Sequence, residues 1–257
     1  MSHTFVILAY KESPYLEECI KSLINQSVKS NIILATSTPS VFLEDISQKY
    51  NIKLEINSNS KNTMADDWNF AYKMANTKYV TLAHQDDIYD KDFSSYLFNQ
   101  KVEFLISFSN YYELKDSKII KNNLNLTIKK NMLLPFYFKN NIKNKTIKNL
   151  ILSFGSPIPC PSVTYNKQLI GDFLFDDNYK VNLDWDAWLR LAKMDGSFYF
   201  VKKPLLLHRI HNGSETSSGI MNNTRYEEDL KIFSQIWGSN IGNFISSFYK
   251  LSYKSNN

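Results

Sequence analysis

From Thr4 to Ala83 short apolar runs alternate with amphipathic segments, and this alternation restricts the fold more than any other feature of the chain. Thr4–Ala9, Asn31–Ala35, Lys53–Ile56 and Tyr79–Ala83 read as strands, the apolar ones too continuous for a solvent-facing edge. Between them, Ser13 and Pro14 open a helix with apolar positions Tyr15, Leu16, Cys19, Ile20, Leu23 and Ile24. Ser as cap with Pro at the first turn is the expected start signal. A second helix follows Thr36–Ser40 and runs to Tyr50. A third, capped by Asn62 or Thr63, runs through Met74 with Met64, Trp68, Ala71 and Ala75 on its apolar face. A β-α-β-α-β-α-β order predicts an α/β fold: a mainly parallel central sheet, helices on both faces, right-handed crossovers.

The strand Tyr79–Ala83 ends in His84, Gln85, Asp86 and Asp87, with Asp90 and Asp92 close behind. Open α/β sheets place ligands at the carboxyl ends of their strands. Adjacent carboxylates there repel one another and are poorly solvated, so a divalent cation is the natural neutraliser. Hard oxygen ligands suit Mg²⁺ or Mn²⁺. The competing reading makes these acids turn residues, with an Asx-type cap for a helix starting near Lys91.

Composition narrows the function classes. A chain of 257 residues forms a core without disulfide staples. Its two cysteines, Cys19 and Cys160, lack metal-type spacing, which points to idle thiols in a reducing cytoplasm. No run approaches the ~20 apolar residues of a membrane span. Met1–Tyr10 has no basic leader, so no signal peptide is expected. The net charge of +5 suits phosphates or an anionic membrane surface, but the lysines are spread without a nucleic-acid recognition framework. With seven glycines and neither G-x-G-x-x-G nor a Walker-type loop, any nucleotide must be held by side chains and a metal.

After Asp92 the pattern weakens. Phe93–Tyr112 mixes a helix with a strand at Ile106–Ser109, and Glu113–Thr127 reads as an irregular or β-hairpin excursion. Asn131–Leu152 is rich in Lys and Asn, with an amphipathic helix near Lys145–Phe154. Pro157, Pro159 and Pro161 mark a loop before a short strand, Ser162–Tyr165. A second acidic cluster, Asp184 and Asp186, opens the helix Asn182–Ala192, where acids also simply suit a helix N-terminus. Lys203–Ser214 reads as a buried strand ending in Arg209, His211 and polar residues.

Five segments in this order resemble the family 2 inverting glycosyltransferases of the GT-A (nucleotide-diphospho-sugar transferase) fold. They are V-I-L-A-Y-K-E-S-P-Y-L-E-E-C-I-K-S-L; D-D-W-N-F-A followed by K-Y-V-T-L-A-H-Q-D-D-I-Y; P-S-V-T-Y; D-W-D-A-W-L-R-L-A; and L-L-H-R-I-H-N-G-S. The resemblance runs from Thr4 to about Ser218. It implies a transferase domain over residues 1–218, with a nucleotide-binding half to residue 100 and an acceptor half to 218, then a helical extension over 219–257.

The resemblance also implies roles. Ala9, Tyr10 and Glu12 match positions that hold base and ribose, and Thr36 stands where many relatives carry an acid for the base. Thr63, Asp66 and Asn69 match the region touching ribose and donor sugar. His84-Gln85-Asp86 occupies the D-x-D position with His for the first Asp. Asp86 is then the metal ligand, Asp87 its support, Gln85 a donor contact, and His84 an orienting group. Asp184 matches the catalytic base, with Asp186 in reserve. His211 matches a late His that reaches metal or diphosphate, helped by Arg209.

These residue types suit inverting transfer from a nucleotide-sugar, UDP-hexose above all, to a saccharide hydroxyl in bacterial surface-glycan synthesis. A hydrolase of nucleotide-sugars or phosphoesters, or a non-catalytic saccharide-binding module, would use similar surfaces. At the carboxyl end, Tyr226–Trp237 and Ile241–Tyr253 have helical periodicity with Lys250 and Lys254. Such helices either lie on an anionic membrane, as a lipid-linked acceptor would favour, or pack on their own domain or a second subunit.

Overall fold

The computed structural model describes residues 2–61, 63–211, 213 and 219–250. Asn62, Asn212, Ser214, Ser218, Tyr253 and Lys254 lie outside the described residues. The first half follows the expected alternation: β1 (His3–Ala9), α1 (Leu16–Ile24), β2 (Asn31–Thr36), α2 (Val41–Tyr50), β3 (Lys53–Ile56), α3 (Met64–Met74) and β4 (Tyr79–His84). β1 pairs in parallel with both β2 and β4, and β2 with β3. Register aligns Ala9 with Thr36 and Leu8 with His84, so three strand ends open on one edge.

Side-chain alternation along these strands separates two cores. Val6, Val80 and Leu82 turn toward α3 and its Trp68. Phe5, Ile7 and Ala83 turn the other way, toward α1 and α2. β1 and β4 are thus buried on both faces, as their continuous apolar runs require, whereas β3 at the sheet edge is largely exposed. α1 starts later than the Ser13–Pro14 signal: Ser13 Oγ accepts from the Tyr15 N–H at 3.3 Å, and the helix begins at Leu16 without a side-chain cap. Thr63 does cap α3, accepting from the Asp66 N–H at 3.2 Å.

Beyond β4 come β5 (Ile88–Tyr89), α4 (Phe93–Phe98), β6 (Ile106–Lys115), β7 (Lys118–Ile120), α5 (Leu124–Met132), α6 (Leu134–Phe138), β8 (Asn141–Ile142) and α7 (Lys145–Leu152). A 3₁₀ turn at Cys160–Ser162 leads into β9 (Thr164–Asn166) and α8 (Lys167–Ile170). Then follow α9 (Leu183–Ala192), β10 (Phe198–Arg209), α10 (Thr224–Trp237) and α11 (Ser239–Tyr249). The main path of the sheet is β3-β2-β1-β4-β9-β6-β10-β5, with β7 paired to β6 and β8 to β10. β9 is antiparallel to both β4 and β6, so β6 and β10 run the same way as the first four strands.

Two strands are longer than their sequence signals. β6 continues from Ser109 to Lys115 and turns back into β7 through Asp116 and Ser117, both at positive φ, the conformation a two-residue hairpin turn needs. β10 begins at Phe198 rather than Lys203, because the pairing with β6 passes Pro204 through an irregularity instead of stopping there. α10 and α11 pack on the domain: Ile232 and Phe233 are buried in the core, and Ile245 and Tyr249 lie against it.

Candidate functional site

The strand-end turn after β4 is fixed from several directions. Gln85 binds the backbone of Tyr10 with both ends of its amide, accepting from N–H at 3.1 Å and donating to C=O at 3.0 Å. Asp87 is fully buried and accepts from the Arg209 N–H at 2.8 Å, with His208 Nδ1 3.0 and 3.2 Å from its two oxygens. Arg209 donates through Nε to the Asp86 carbonyl at 2.9 Å, pairs with Glu18, and lies 4.3 Å from the centre of the Tyr15 ring. His211 Nε2 stands 2.8 Å from Asp86 Oδ2. The end of β10 therefore grips the acidic turn. Asp90 and Asp92 do follow the turn reading: Asp90 accepts from the Asp92 N–H, and both pair with Lys203.

Electrostatics follow from this packing. Burial pushes the His84 imidazole below its ordinary value despite two nearby carboxylates, favouring the neutral ring. Burial also acts to raise Asp86, but His84 and the hydrogen bond from His211 outweigh it and hold the carboxyl below the usual range. For His208 burial acts downward, and the Asp87 carboxylate prevails to hold it above 6.5.

His84, Asp86 and Asp87 each offer a ligand atom, and these atoms lie within 4.8 Å of one another. The residues fit a divalent cation on a further observation: His84 Nε2 is buried with no hydrogen-bond partner among the described residues, and an uncharged imidazole nitrogen is a good metal ligand. This changes the grouping expected from sequence. His84, taken as an orienting group, stands with the two acids, while His211 is a hydrogen-bond partner of Asp86.

Asp184 lies across the same opening. It is the second residue of α9, and its Oδ1 accepts from the Trp185 N–H at 2.7 Å. Burial raises its carboxyl above 3.8, opposed by Arg225, Lys129 and His84. Asp186 points elsewhere: Arg190 Nε binds its Oδ2 at 2.7 Å, and Arg190 also donates to the Leu174 carbonyl. The reserve candidate is thus engaged in an i, i+4 ion pair and does not line the opening.

One cavity of about 1090 Å³ runs past both Asp86 and Asp184. Ala9, Tyr10, Thr36, Thr63 and Gln85 line it at the sheet edge, and Arg209 and His211 line it near the acidic turn. Glu12 is exposed and outside it. Asp66 accepts from Asn57 and the Lys61 N–H, and Asn69 uses both ends of its amide on the backbone of Phe175, so neither reaches the cavity. Their neighbour Asp67 does, bound by Ser37 Oγ at 2.7 Å and Ser60 Oγ at 2.9 Å. Sequence reading named Asp66 where helix phase turns Asp67 toward the end of β2. It also missed Arg225 and Lys129, since nothing local marks a residue of α10 or α5 as facing α9.

The sequence profile of the family described as glycosyl transferase family 2 matches residues 4–156, more than half of the chain. The chain belongs to that family. It is a glycosyltransferase of the GT-A fold. Among solved structures, residues 1–349 of S. aureus TarS in complex with UDP-GlcNAc match at 15% identity with a TM-score of 0.67, covering 96% of this chain and 70% of that one. A longer S. aureus TarS structure gives 15% and 0.65, with 93% of this chain and 40% of that one covered. The mannosyltransferase PcManGT from Pyrobaculum calidifontis, in complex with GDP-Man and Mn²⁺, gives 12% and 0.61, with 91% and 64% covered. These likenesses are of fold. Comparison of the sequence with curated proteins finds no match.

Proposed function

We propose that this family 2 glycosyltransferase moves a sugar, with inversion, from a nucleoside-diphosphate donor to a saccharide hydroxyl. The observation that carries the proposal is that Asp86 and Asp184, 98 positions apart in sequence, line one and the same cavity of about 1090 Å³. Asp184 is the base. Burial has raised its proton affinity, and it takes the acceptor hydroxyl's proton as that oxygen attacks the anomeric carbon from the face opposite the leaving group.

Donor recognition falls to the sheet edge. Ala9 and Tyr10 meet base and ribose, with Thr36 and Asp67 at the base end and Thr63 and Gln85 beside the sugar and diphosphate. UDP is the favoured nucleotide and a hexose the favoured sugar; a fold neighbour with UDP-GlcNAc supports this, and one with GDP-Man keeps guanine among the donors to test. Asp86, Asp87 and His84 would hold Mn²⁺ or Mg²⁺, which when bound supplies charge neutralisation for the departing diphosphate. His211 and Arg209 hold the turn that carries these ligands, and the Arg209 guanidinium adds positive charge on the leaving-group side. The acceptor belongs to surface-glycan synthesis, free or lipid-linked.

The test is product analysis with UDP-hexoses, Mn²⁺ and saccharide acceptors. Wild-type protein forms a glycoside of inverted anomeric configuration, and Asp184→Asn keeps donor binding while losing transfer by about 10²–10⁴-fold, the usual contribution of a positioned base. Full transfer by Asp184→Asn removes the assigned base. Sugar release that is indifferent to acceptor makes the protein a hydrolase instead.

A further inference from the structure

From Ser117 to Gly171 the chain carries nine lysines, no arginine and no acidic residue. The remainder holds 21 basic and 25 acidic residues, so the whole positive balance of the protein resides in this one segment. Its central part, α6 to α7, is folded on the sheet face that also carries α9 and α10. Phe136, Ile142 and Ile151 share one core cluster with Trp185 and Phe233. α6, β8 and α7 thus bury their inner residues in the same core cluster and turn their other faces to solvent.

Those outward faces are apolar as well as basic. Phe138 is 89% exposed, Leu150 55% and Phe154 48%. Around them Lys139, Lys143 and Lys145 are exposed. On α7 Lys148 is buried beside Ile151 and Leu152, donating to the carbonyls of Met194 and Gly196 at 3.0 and 2.8 Å, while Leu150, and Phe154 just beyond the helix, face out. Burial lowers this lysine to about 8, an energetic cost the fold accepts on the inner side. Phe154 also packs on Trp237 with ring centres 5.1 Å apart, which joins the patch to α10 and so to the helix carrying Arg225 of the cavity.

We propose that the α6–α7 face docks on an anionic lipid bilayer, lysines at the headgroups and Phe138, Leu150 and Phe154 in the interfacial layer. Lysine with interleaved aromatic and aliphatic side chains suits a membrane surface. A nucleic-acid surface would favour arginine for bidentate phosphate contacts, and the segment has none. Among the described residues no helix is long and apolar enough to cross a membrane, so this contact is peripheral. It extends the membrane reading of the carboxyl-terminal helices to a different surface, and it is independent of the reaction assigned above.

The test is co-sedimentation of the full chain with phosphatidylcholine vesicles and with vesicles containing 30% phosphatidylglycerol, at about 50 and 300 mM salt. Binding is expected to the anionic vesicles, weaker at high salt and absent with phosphatidylcholine alone. Lys139→Glu with Lys143→Glu lowers partitioning at least about 25-fold, a factor of about five for each lysine lost. Phe138→Ser lowers it without changing the salt response. Both proteins keep the wild-type Tm and transfer to a soluble saccharide, which separates docking from catalysis. No sedimentation at low salt, equal binding to neutral vesicles, unchanged binding of the double variant, or tighter binding to an RNA oligonucleotide than to anionic vesicles overturns the proposal.

Discussion

The carboxylate of Glu228 on α10 accepts from the backbone N–H of Asn182 at 2.8 Å, directly ahead of the helix that carries Asp184. It also accepts from Val181 N–H at 3.0 Å and Lys180 N–H at 2.6 Å, and Asp229 beside it accepts from the Asn182 side chain at 2.7 Å. Three successive amides are thus satisfied by one side chain that is 8% exposed. Asn182 offers no side-chain cap of its own to α9, so α10 supplies the anchoring from outside. The carboxyl-terminal helices are part of the site's framework.

Glu228→Ala leaves those amides without acceptors, and we expect a loss of about 2–4 kcal/mol in urea unfolding. Transfer should fall more than donor affinity, because the donor edge is built from other elements. Glu228→Gln, which keeps one carbonyl oxygen, should lose less on both counts. An unchanged unfolding midpoint in the alanine variant would show that α9 holds its own start.

The histidines at the acidic turn separate by role. His84→Ala should weaken Mn²⁺ binding to the free protein at least about tenfold, since even outer partners of metal sites cause losses of that size. His211→Ala removes the 2.8 Å partner of Asp86 but no member of the ligand group, and should weaken it less. Titration calorimetry with Mn²⁺ alone reads both, and the reverse order would return His211 to the ligand set.

The pH profile of transfer reports Asp184. Burial raises its carboxyl above 3.8, so kcat/KM should fall on the acid side around a midpoint above that value, as the base becomes protonated. Arg225 opposes the rise. Arg225→Gln should therefore move the midpoint up, while Arg225→Lys holds it near the wild-type position. A limb that stays put in Arg225→Gln breaks the link between this pair.

How far the sequence reaches can be judged from particular residues. The parallel half was readable because β1 and β4 are continuous apolar runs, helical periodicity separates the strands, and Thr63 caps where its type predicts. β10 was misread because Pro204 usually ends a strand, whereas here it sits at an irregularity in the pairing with β6. Of the four acids after β4, two became ligand candidates and two turn residues, a division made by Lys203 and the end of β10. Asp66 and Asp67 differ by one helical position, a difference of phase that a single sequence does not resolve. Glu228 carried no local signal, since its partners lie 46 to 48 residues away.

His3 provides a stability signature in a pH window of its own. Its ring is fully buried in β1, with Nδ1 2.9 Å from Ser30 Oγ and Nε2 3.0 Å from Thr81 Oγ1, and burial pushes its pKa from 6.5 down to about 3. Between those two values the unfolded chain binds a proton that the folded chain refuses. Stability contributed by this group is therefore complete above about 6.5 and declines as pH falls toward 3, with a limiting slope of about 1.4 kcal/mol per pH unit. His84, also lowered, acts in the same direction, and His208, raised, acts in the opposite one. The difference between wild type and His3→Gln isolates the His3 contribution. Urea unfolding from pH 7 to 4.5 should show the wild-type advantage shrinking as acid is added, and a constant difference would mean that His3 binds its proton equally well in the folded chain.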